Sequence, residues 1–303
     1  MNPKTYLEKI LNQQSLASDG PEIKALNEEK TRVESLILNE FKDSNPTIKI
    51  AGSIAKGTPI KDSYDLDICV YFPKEDSEDC GDTLKEIYDK VRACLEKQYY
   101  IVTKPVALRL QSNSERTRGV DYHIDVVPGR FIEGSEGDCH LHITTGDKKY
   151  FKTNLKVHIK HIKNSGLIDQ IKLLKLWRSR SVLSVRTFIL ELLVVKILKD
   201  SKATSLQDYL IEFWTELRDN IDNITIEDPA NPYGNDLSEI FDDHIKAQLQ
   251  AAAKQTLQLV ERGTWEDIYG LVEDKDSANR VASILSVASN YNTPPRPYCD
   301  EVV

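Results

Sequence analysis

The chain has 303 residues, with 40 Lys or Arg against 48 Asp or Glu, so its formal net charge is −8 and its pI is near 5.4. This acidic balance argues against a general nucleic-acid coat, because such binding requires net positive potential. Hydrophobic residues make up 40% and charged residues 29%, which is typical of a folded globular chain. No apolar run is as long as a membrane span, and residues 1–14 lack the apolar core of a signal peptide. We therefore expect an intracellular protein whose five scattered cysteines are free thiols.

The first half of the chain predicts a mixed sheet with helices around it. Residues 1–14 and 21–41 have the apolar spacing of amphipathic helices, and Asn45-Pro46 ends the second. Residues 82–95 also favour a helix. Alternation or β-forming composition predicts short strands at 47–50, 66–72, 99–103, 107–110, 123–127 and 141–144.

After about residue 150 the pattern favours helices alone. The predicted helices are 155–163, 168–177, 185–198, 206–217, 237–262, 265–272 and 277–290, followed by a proline-rich tail at 292–297. We place a boundary near Asn164-Ser165-Gly166. The sequence thus predicts an α+β chain with two domains, a sheet-containing core with its N-terminal helices over 1–165 and a helical domain over 166–303.

The segment 50–72, IAGSIAKGTPIKDSYDLDICVYF, combines residues suited to binding a triphosphate. A strand leads into Gly52, where the absence of a Cβ lets the backbone approach a ligand closely. The Ser53 hydroxyl and the free N–H groups of a helix start can hold phosphate oxygens. Lys56 and Thr58 follow within reach of the same phosphates.

Eleven residues separate Ser53 from Asp65, and the pair Asp65 and Asp67 lies at the start of the strand 66–72. Residues i and i+2 of a strand share a face, so the two carboxylates point together and repel each other. Mg²⁺ or Mn²⁺ relieves such repulsion, and Mg²⁺ prefers carboxylate and phosphate oxygens. Asp125, in the apolar strand 123–127, is the candidate third acid for a site with two metal ions. Two such ions can activate an attacking hydroxyl and stabilise departing pyrophosphate, so the sequence predicts nucleotidyl transfer from a nucleoside triphosphate.

The pattern Gly-Ser, eleven residues, Asp-Leu-Asp and a later Ile-Asp-Val-Val resembles the nucleotidyltransferase superfamily typified by DNA polymerase β. Three further segments, 173–177 (LLKLW), 187–193 (TFILELL) and 228–237 (DPANPYGNDL), resemble the branch of oligoadenylate synthase and cyclic GMP–AMP synthase. The bacterial members of that branch are the CD-NTases. The resemblance implies a polymerase β-like core followed by an all-helical domain. It also implies a bacterial cytoplasmic enzyme of antiphage signalling that joins NTPs into a cyclic di- or trinucleotide, which a separately encoded effector binds.

The resemblance also implies roles for individual residues. Asp65 and Asp67 would hold both metal ions, and Asp125 would bind the ion nearer the attacking hydroxyl and help to deprotonate that hydroxyl. Gly52 and Ser53 would hold the triphosphate. The helical half would add Lys175 and Thr187 as phosphate contacts, Phe188 as a base-stacking ring or as ordinary helix core, and Asn235 as a neighbour of the nucleotide or a stabiliser of the Asp-Pro turn.

A basic segment, 148–180, holds ten Lys or Arg against the single acid Asp169, a net charge of +9 that leaves −17 for the rest of the chain. We expect Lys175, with Lys172 or Arg178, to face the carboxylates and attract nucleotides. Activation by nucleic acid is not expected. Two alternatives remain open: nucleotide addition to an RNA end, a protein or a small molecule, and a sensor that binds NTP without turnover.

Overall fold

The structure, a computed structural model, describes residues 1–17, 19–73, 79–112, 123–146 and 148–272. Residues 1–270 form one compact unit, and residues 271–303 form a second unit. The predicted helix 277–290 and the predicted tail 292–297 lie outside the described residues.

The described residues form seven strands and ten helices. The strands are β1 (Thr47–Ile50), β2 (Leu66–Phe72), β3 (Tyr99–Thr103), β4 (Leu108–Ser112), β5 (Ile124–Phe131), β6 (Cys139–His142) and β7 (Tyr150–Thr153). The helices are α1 (Pro3–Gln14), α2 (Pro21–Glu40), α3 (Gly52–Lys56), α4 (Leu84–Glu96), α5 (Leu155–Lys163), α6 (Ile168–Arg180), α7 (Thr187–Leu198), α8 (Leu206–Asn220), α9 (Asp243–Glu261) and α10 (Glu266–Tyr269).

The strands form one mixed sheet, in the order β1-β2-β5-β4-β3, with β6 paired to β5 and β7 to β6. Strands β2 and β5 are parallel, and the other pairs are antiparallel. Parallel strands are buried on both faces, and β2 (LDICVYF) accordingly is almost wholly apolar. Asp67 in β2 lies opposite Asp125 in β5 in this register. The central strand pair therefore brings together two of the three predicted catalytic acids.

Local signals explain where the flanking helices begin. Pro21 occupies the first turn of α2, where its missing N–H costs nothing. Thr83 and Glu86 form a capping box at the start of α4. Both helices pack on one face of the sheet, where Val33 and Val91 join the strand residues in a fully buried core. This packing leaves the carboxyl end of β1 and the start of β2 to build the site.

The helical part has its own core of large aromatic side chains. Trp177 of α6 packs against Phe213 and Trp214 of α8, and Trp214 packs against Trp265, beside α10. Helix α1 contacts α6 and α8. The sequence grouped α1 with the catalytic core, whereas the structure packs it on the helical part. The predicted boundary near residue 165 stays a prediction.

Most predicted elements are present, with shifted ends. The strand β7 was not predicted, so strands continue to Thr153, beyond the expected limit of 150. Helix α9 begins at Asp243 instead of 237, because Asp242 caps it by accepting a hydrogen bond from the Ile245 N–H. Residues 265–272 contain only the short helix α10, which ends at Gly270 with φ +93°.

Two expectations from composition concern residues that the structure describes. Four of the five cysteines, Cys69, Cys80, Cys94 and Cys139, are buried free thiols, as predicted. Cys299 lies outside the described residues. In the described part of the chain, no helix has both the length and the apolar character needed to span a membrane.

Candidate active site

The Gly52–Ser53 turn lies directly against Asp67. The Ala51 N–H donates to the Asp67 carbonyl (2.8 Å), which fastens the end of β1 to the start of β2. Gly52 has φ +57°, and a Cβ added to it would lie 1.6 Å from Asp67 Oδ2. Only glycine fits this position, because both the backbone conformation and the neighbouring carboxylate exclude a side chain. The backbone at Gly52 thus approaches one of the predicted catalytic acids, and its predicted close approach to a ligand stays a prediction.

The three predicted acids cluster at this turn in different environments. The Asp65 side chain is 41% exposed and accepts a hydrogen bond from the His123 N–H, whereas the Asp125 side chain is only 12% exposed. Burial, followed by the negative charges of Asp125 and Asp65, raises the pKa of Asp67 to about 6. Among the described residues, the Asp67 carboxylate makes no hydrogen bond or ion pair. Asp67 is half-buried, and the positive charges of Lys56 and Lys175 offset only part of the effects that raise its pKa.

Arg109, which the sequence did not single out, holds the third acid. Its register on β4 places it opposite Asp125, and its guanidinium donates to both Asp125 oxygens, at 2.8 and 2.9 Å. Lys104 Nζ lies 3.4 Å from Asp125 Oδ2, and Arg109 also lies 3.9 Å from Asp65. Two cations thus offset the negative charge on one side of the cluster.

The acids fit divalent cations in chemistry but not in their present arrangement. In the part of the chain that the structure describes, no three His, Cys, Asp or Glu side chains are arranged to hold a metal ion. Both Asp125 oxygens are bound by Arg109. Carboxylate oxygens are nevertheless the ligands that Mg²⁺ prefers, and a cation would relieve the repulsion that raises the pKa of Asp67. A metal ion bound through all three acids would share Asp125 with Arg109 or displace it.

The predicted phosphate contacts Lys56, Thr58 and Lys175 have protein partners in this structure. Lys56 Nζ donates to Glu191 Oε2 (2.6 Å), and the Thr58 hydroxyl donates to Glu191 Oε1 (2.9 Å). Lys175 Nζ donates to the Thr58 carbonyl (2.8 Å). All four side chains are buried. The phosphate-binding roles of these three residues stay predictions, and the geometry assigns each of them an internal contact that sequence reasoning missed.

The sequence around Glu191 contains a signal that could have identified it as a buried, paired residue. It is the only acid in α7, TFILELLVVKIL, and a charge in so apolar a helix requires a buried partner. The same reasoning singled out Asp125 in its apolar strand.

The remaining predicted residues lie around a second polar cluster. Phe188 is half-buried, and its ring stacks on the His158 imidazole with centroids 5.2 Å apart and planes at 11°. His158 Nε2 is 2.8 Å from Asp228 Oδ1, and Asn235 Nδ2 donates to Asp228 Oδ2 (2.6 Å). Thr187 begins α7 and is also half-buried. Of the two roles predicted for Asn235, this geometry favours stabilising the Asp-Pro turn.

Within the basic segment 148–180, Lys175 has the electrostatic link to the acids. Burial lowers the pKa of Lys175 to about 8, and the charges of Asp65 and Asp67 are among those acting on it. Arg178 donates to the Val185 carbonyl, and Arg180 forms an ion pair with Asp62 (2.6 Å). These arginines thus bind groups within the fold, whereas Lys172 is only half-buried.

Comparisons with known proteins find a nucleotidyltransferase domain in this chain. The nucleotidyltransferase domain family matches residues 35–128, which include all three acids and the Gly52–Ser53 turn. The chain is 25% identical over 237 residues to a cyclic AMP-AMP-AMP synthase of Escherichia coli (strain MS 115-1), covering 67% of this chain and 72% of that protein. It is 33% identical over 152 residues to a CCA-adding enzyme of Sulfurisphaera tokodaii, covering 49% of this chain and 32% of that enzyme.

Solved structures match over most of the chain. The E. coli MS115-1 CdnC:HORMA-deltaN complex matches with a TM-score of 0.68 and 18% identity, over 89% of this chain and 98% of that chain. Bradyrhizobium diazoefficiens CdnG in complex with GTP matches with a TM-score of 0.69 and 14% identity, over 94% and 98%. The mixed sheet, the helical part and the domain match give the chain a polymerase β-like nucleotidyltransferase fold. The predicted resemblance to the CD-NTases is supported, because CdnC and CdnG have the same fold over most of the chain.

Proposed function

We propose that this chain joins nucleoside triphosphates into a cyclic di- or trinucleotide and releases pyrophosphate, with two Mg²⁺ or Mn²⁺ ions, as part of bacterial antiphage signalling. The observation that carries the proposal is the close packing of the Gly52–Ser53 turn on Asp67, with Asp125 in register beside it. The similarity to 72% of the length of a cyclic AMP-AMP-AMP synthase supports ATP as a substrate. An effector that binds the product would be encoded elsewhere.

Each residue of the site has a proposed task. Asp65 and Asp67 would hold both ions, and Asp125 would bind the one nearer the attacking hydroxyl and accept that hydroxyl's proton. The ions supply activation of the hydroxyl and charge stabilisation of the departing pyrophosphate. The Gly52–Ser53 turn would bind the triphosphate through its backbone N–H groups and the Ser53 hydroxyl. The Phe188 ring, still partly exposed beside His158, would contact the base.

A second candidate function is the addition of nucleotides to an RNA end. The 33% identity to a CCA-adding enzyme supports it, although the chain spans about a third of that enzyme. The charge distribution favours the first candidate, because an RNA substrate needs a basic track outside the cleft and the chain outside 148–180 sums to −17.

One incubation distinguishes these functions. The purified chain is mixed with all four NTPs and Mg²⁺ or Mn²⁺, each α-phosphate is labelled in turn, and the products are treated with phosphatase. A small phosphatase-resistant product supports cyclisation, whereas pyrophosphate release only when tRNA is added supports the second candidate. NTP binding without any pyrophosphate release would identify a sensor. Double-stranded DNA or RNA added to parallel reactions should not raise the rate.

A further inference from the structure

The two parts of the predicted motif are joined by a loop, residues 57–64, that three helices hold. We call it the connecting loop. It runs from the end of α3, which carries Gly52 and Ser53, to Asp65. At its far end, the Asp62 carboxylate accepts a hydrogen bond from the Gln14 amide of α1 (2.8 Å) and pairs with Arg180 of α6 (2.6 Å). The position of the triphosphate-binding turn relative to the acids therefore depends on helices distant in sequence.

At its near end, the connecting loop is held by one carboxylate. Glu191 of α7 accepts from both Lys56 and the Thr58 hydroxyl, at 2.6 and 2.9 Å, with its side chain only 2% exposed. Lys175 of α6 adds a hydrogen bond to the Thr58 carbonyl. Charge-assisted hydrogen bonds of this kind, shielded from water, fix geometry more strongly than exposed ones.

The buried group formed by Lys56, Lys175 and Glu191 also affects the electrostatics of the acids. Its two lysines and one glutamate give it a net charge of +1, and both lysines act on Asp67 to lower its pKa. Without Glu191 the same position would be more positive by one unit. A more positive site should attract a triphosphate better, so electrostatic attraction of the substrate does not explain why a glutamate is present here.

We propose that Glu191 is a positioning residue: by binding Lys56 and Thr58 together it fixes the connecting loop, and through it the Gly52–Ser53 turn, against Asp65 and Asp67. The inference rests on the proposed function, in which that turn holds the triphosphate over the acids. Lys56 and Thr58 then act through Glu191 and not by touching phosphate. A misplacement of about 1 Å in such a site is enough to lower the rate on the order of 100-fold.

The test compares Glu191→Gln and Thr58→Val with the wild-type chain. Glu191→Gln keeps the shape and removes the charge, and Thr58→Val removes one hydroxyl without changing charge. The matched control is Thr256→Val, which removes a buried hydrogen bond to Trp177 (2.8 Å) inside the helical part and does not touch the loop. The readouts are kcat and KM for pyrophosphate release, the Kd of a non-hydrolysable ATP analogue, and amide hydrogen exchange of residues 57–64.

We expect Glu191→Gln to lower kcat by about tenfold or more, even if the added positive charge tightens analogue binding, and to speed amide exchange in residues 57–64. Thr58→Val should shift the same readouts in the same direction, and the double variant should be no worse than Glu191→Gln alone, since both act through one contact. Thr256→Val should leave all three readouts at wild-type values.

Tighter analogue binding with an unchanged kcat in Glu191→Gln would overturn the inference. If Lys56 is a phosphate ligand that Glu191 merely occupies, Glu191→Gln frees it, so the analogue binds more tightly and kcat stays the same. Additive losses in the double variant would place the Thr58 hydroxyl on the nucleotide. If Glu191→Gln does not fold, Thr58→Val alone decides through the same readouts. A wild-type chain without turnover refutes the proposed function, and the amide-exchange comparison still decides whether Glu191 holds the loop.

Discussion

Replacing Gly52 with alanine should separate the geometry of the site from the stability of the fold. The new Cβ would lie 1.6 Å from Asp67 Oδ2 and 2.6 Å from its Cγ. Ordinary contacts of a Cβ begin at 3.4 Å, so the carboxylate or the turn must move by about 1.8 Å, the difference between those distances. Gly52→Ala therefore displaces either the turn that we propose to bind the triphosphate or a predicted metal ligand.

The cost of Gly52→Ala has two separable parts. An alanine at φ +57° costs roughly 1–2 kcal/mol of conformational energy, whatever its surroundings. Such a loss lowers the melting temperature by about 2–4 °C per kcal/mol for a chain of this size. The displacement adds an effect on catalysis, because misplacing a reacting group by about 1 Å can cost about 100-fold in rate.

The assay pairs thermal unfolding with pyrophosphate release. Gly263→Ala is the matched control, because Gly263 also has a positive φ, +76°, but an added Cβ meets nothing within 4 Å. We expect a small loss of melting temperature in Gly263→Ala and a larger one in Gly52→Ala, which also has to move a neighbouring group. Turnover should stay at the wild-type level in Gly263→Ala and be about 100-fold slower in Gly52→Ala. A Gly52→Ala variant with wild-type turnover would refute the reasoning.

Three further predictions follow from contacts described above. Asp67→Asn removes one charge from a crowded trio, so turnover should fall by about 100-fold or more while the melting temperature stays the same or rises; wild-type turnover would contradict the assignment of Asp67. Thr83→Ala breaks the capping box of α4 and should cost about 1 kcal/mol in urea unfolding, with unchanged turnover; an unchanged unfolding midpoint would show that the cap contributes nothing. Burial alone would raise the pKa of Asp228, but hydrogen bonds from His158 and Asn235 lower it below its usual value. Its stabilising contribution is therefore full above the usual aspartate pKa and is lost as the pH falls through the lower folded value. Asp228→Asn should reduce stability near pH 7 by roughly 1–3 kcal/mol and flatten the acid limb of a stability–pH curve, and an unchanged curve would argue against the ionised form.

The sequence predicts the sheet side of the site well, because its signals are local. Alternation along a strand puts Asp65 and Asp67 on one face, and a buried acid in an apolar strand identifies Asp125. The structure places Asp67 and Asp125 in register on adjacent strands and Gly52 against them. The metal-binding and phosphate-binding roles of these residues stay predictions.

The partners of these residues are harder to predict, because they come from distant segments. Arg109 reaches Asp125 through strand pairing, and no spacing in the sequence fixes that register. Glu191 and Lys56 are 135 residues apart in the chain. The unusual placement of a charge in an apolar helix marks Glu191 as buried and paired, but it does not identify the partner. The ends of strands and helices are hard to predict for the same reason, because a strand such as β7 forms by pairing with another strand, here β6.

The aromatic core of the helical part makes intrinsic fluorescence a selective probe. All three tryptophans of the chain, Trp177, Trp214 and Trp265, are buried there, with neighbouring rings 6.0 Å apart. The sheet contains none, so tryptophan emission reports only on the packing of the helices. Circular dichroism, in contrast, reports on both parts. Coincident denaturation curves from the two methods would show that sheet and helices unfold as one cooperative unit. Separated curves would show that the contacts between them, which include the buried Lys56–Glu191 pair, do not make the two parts unfold together.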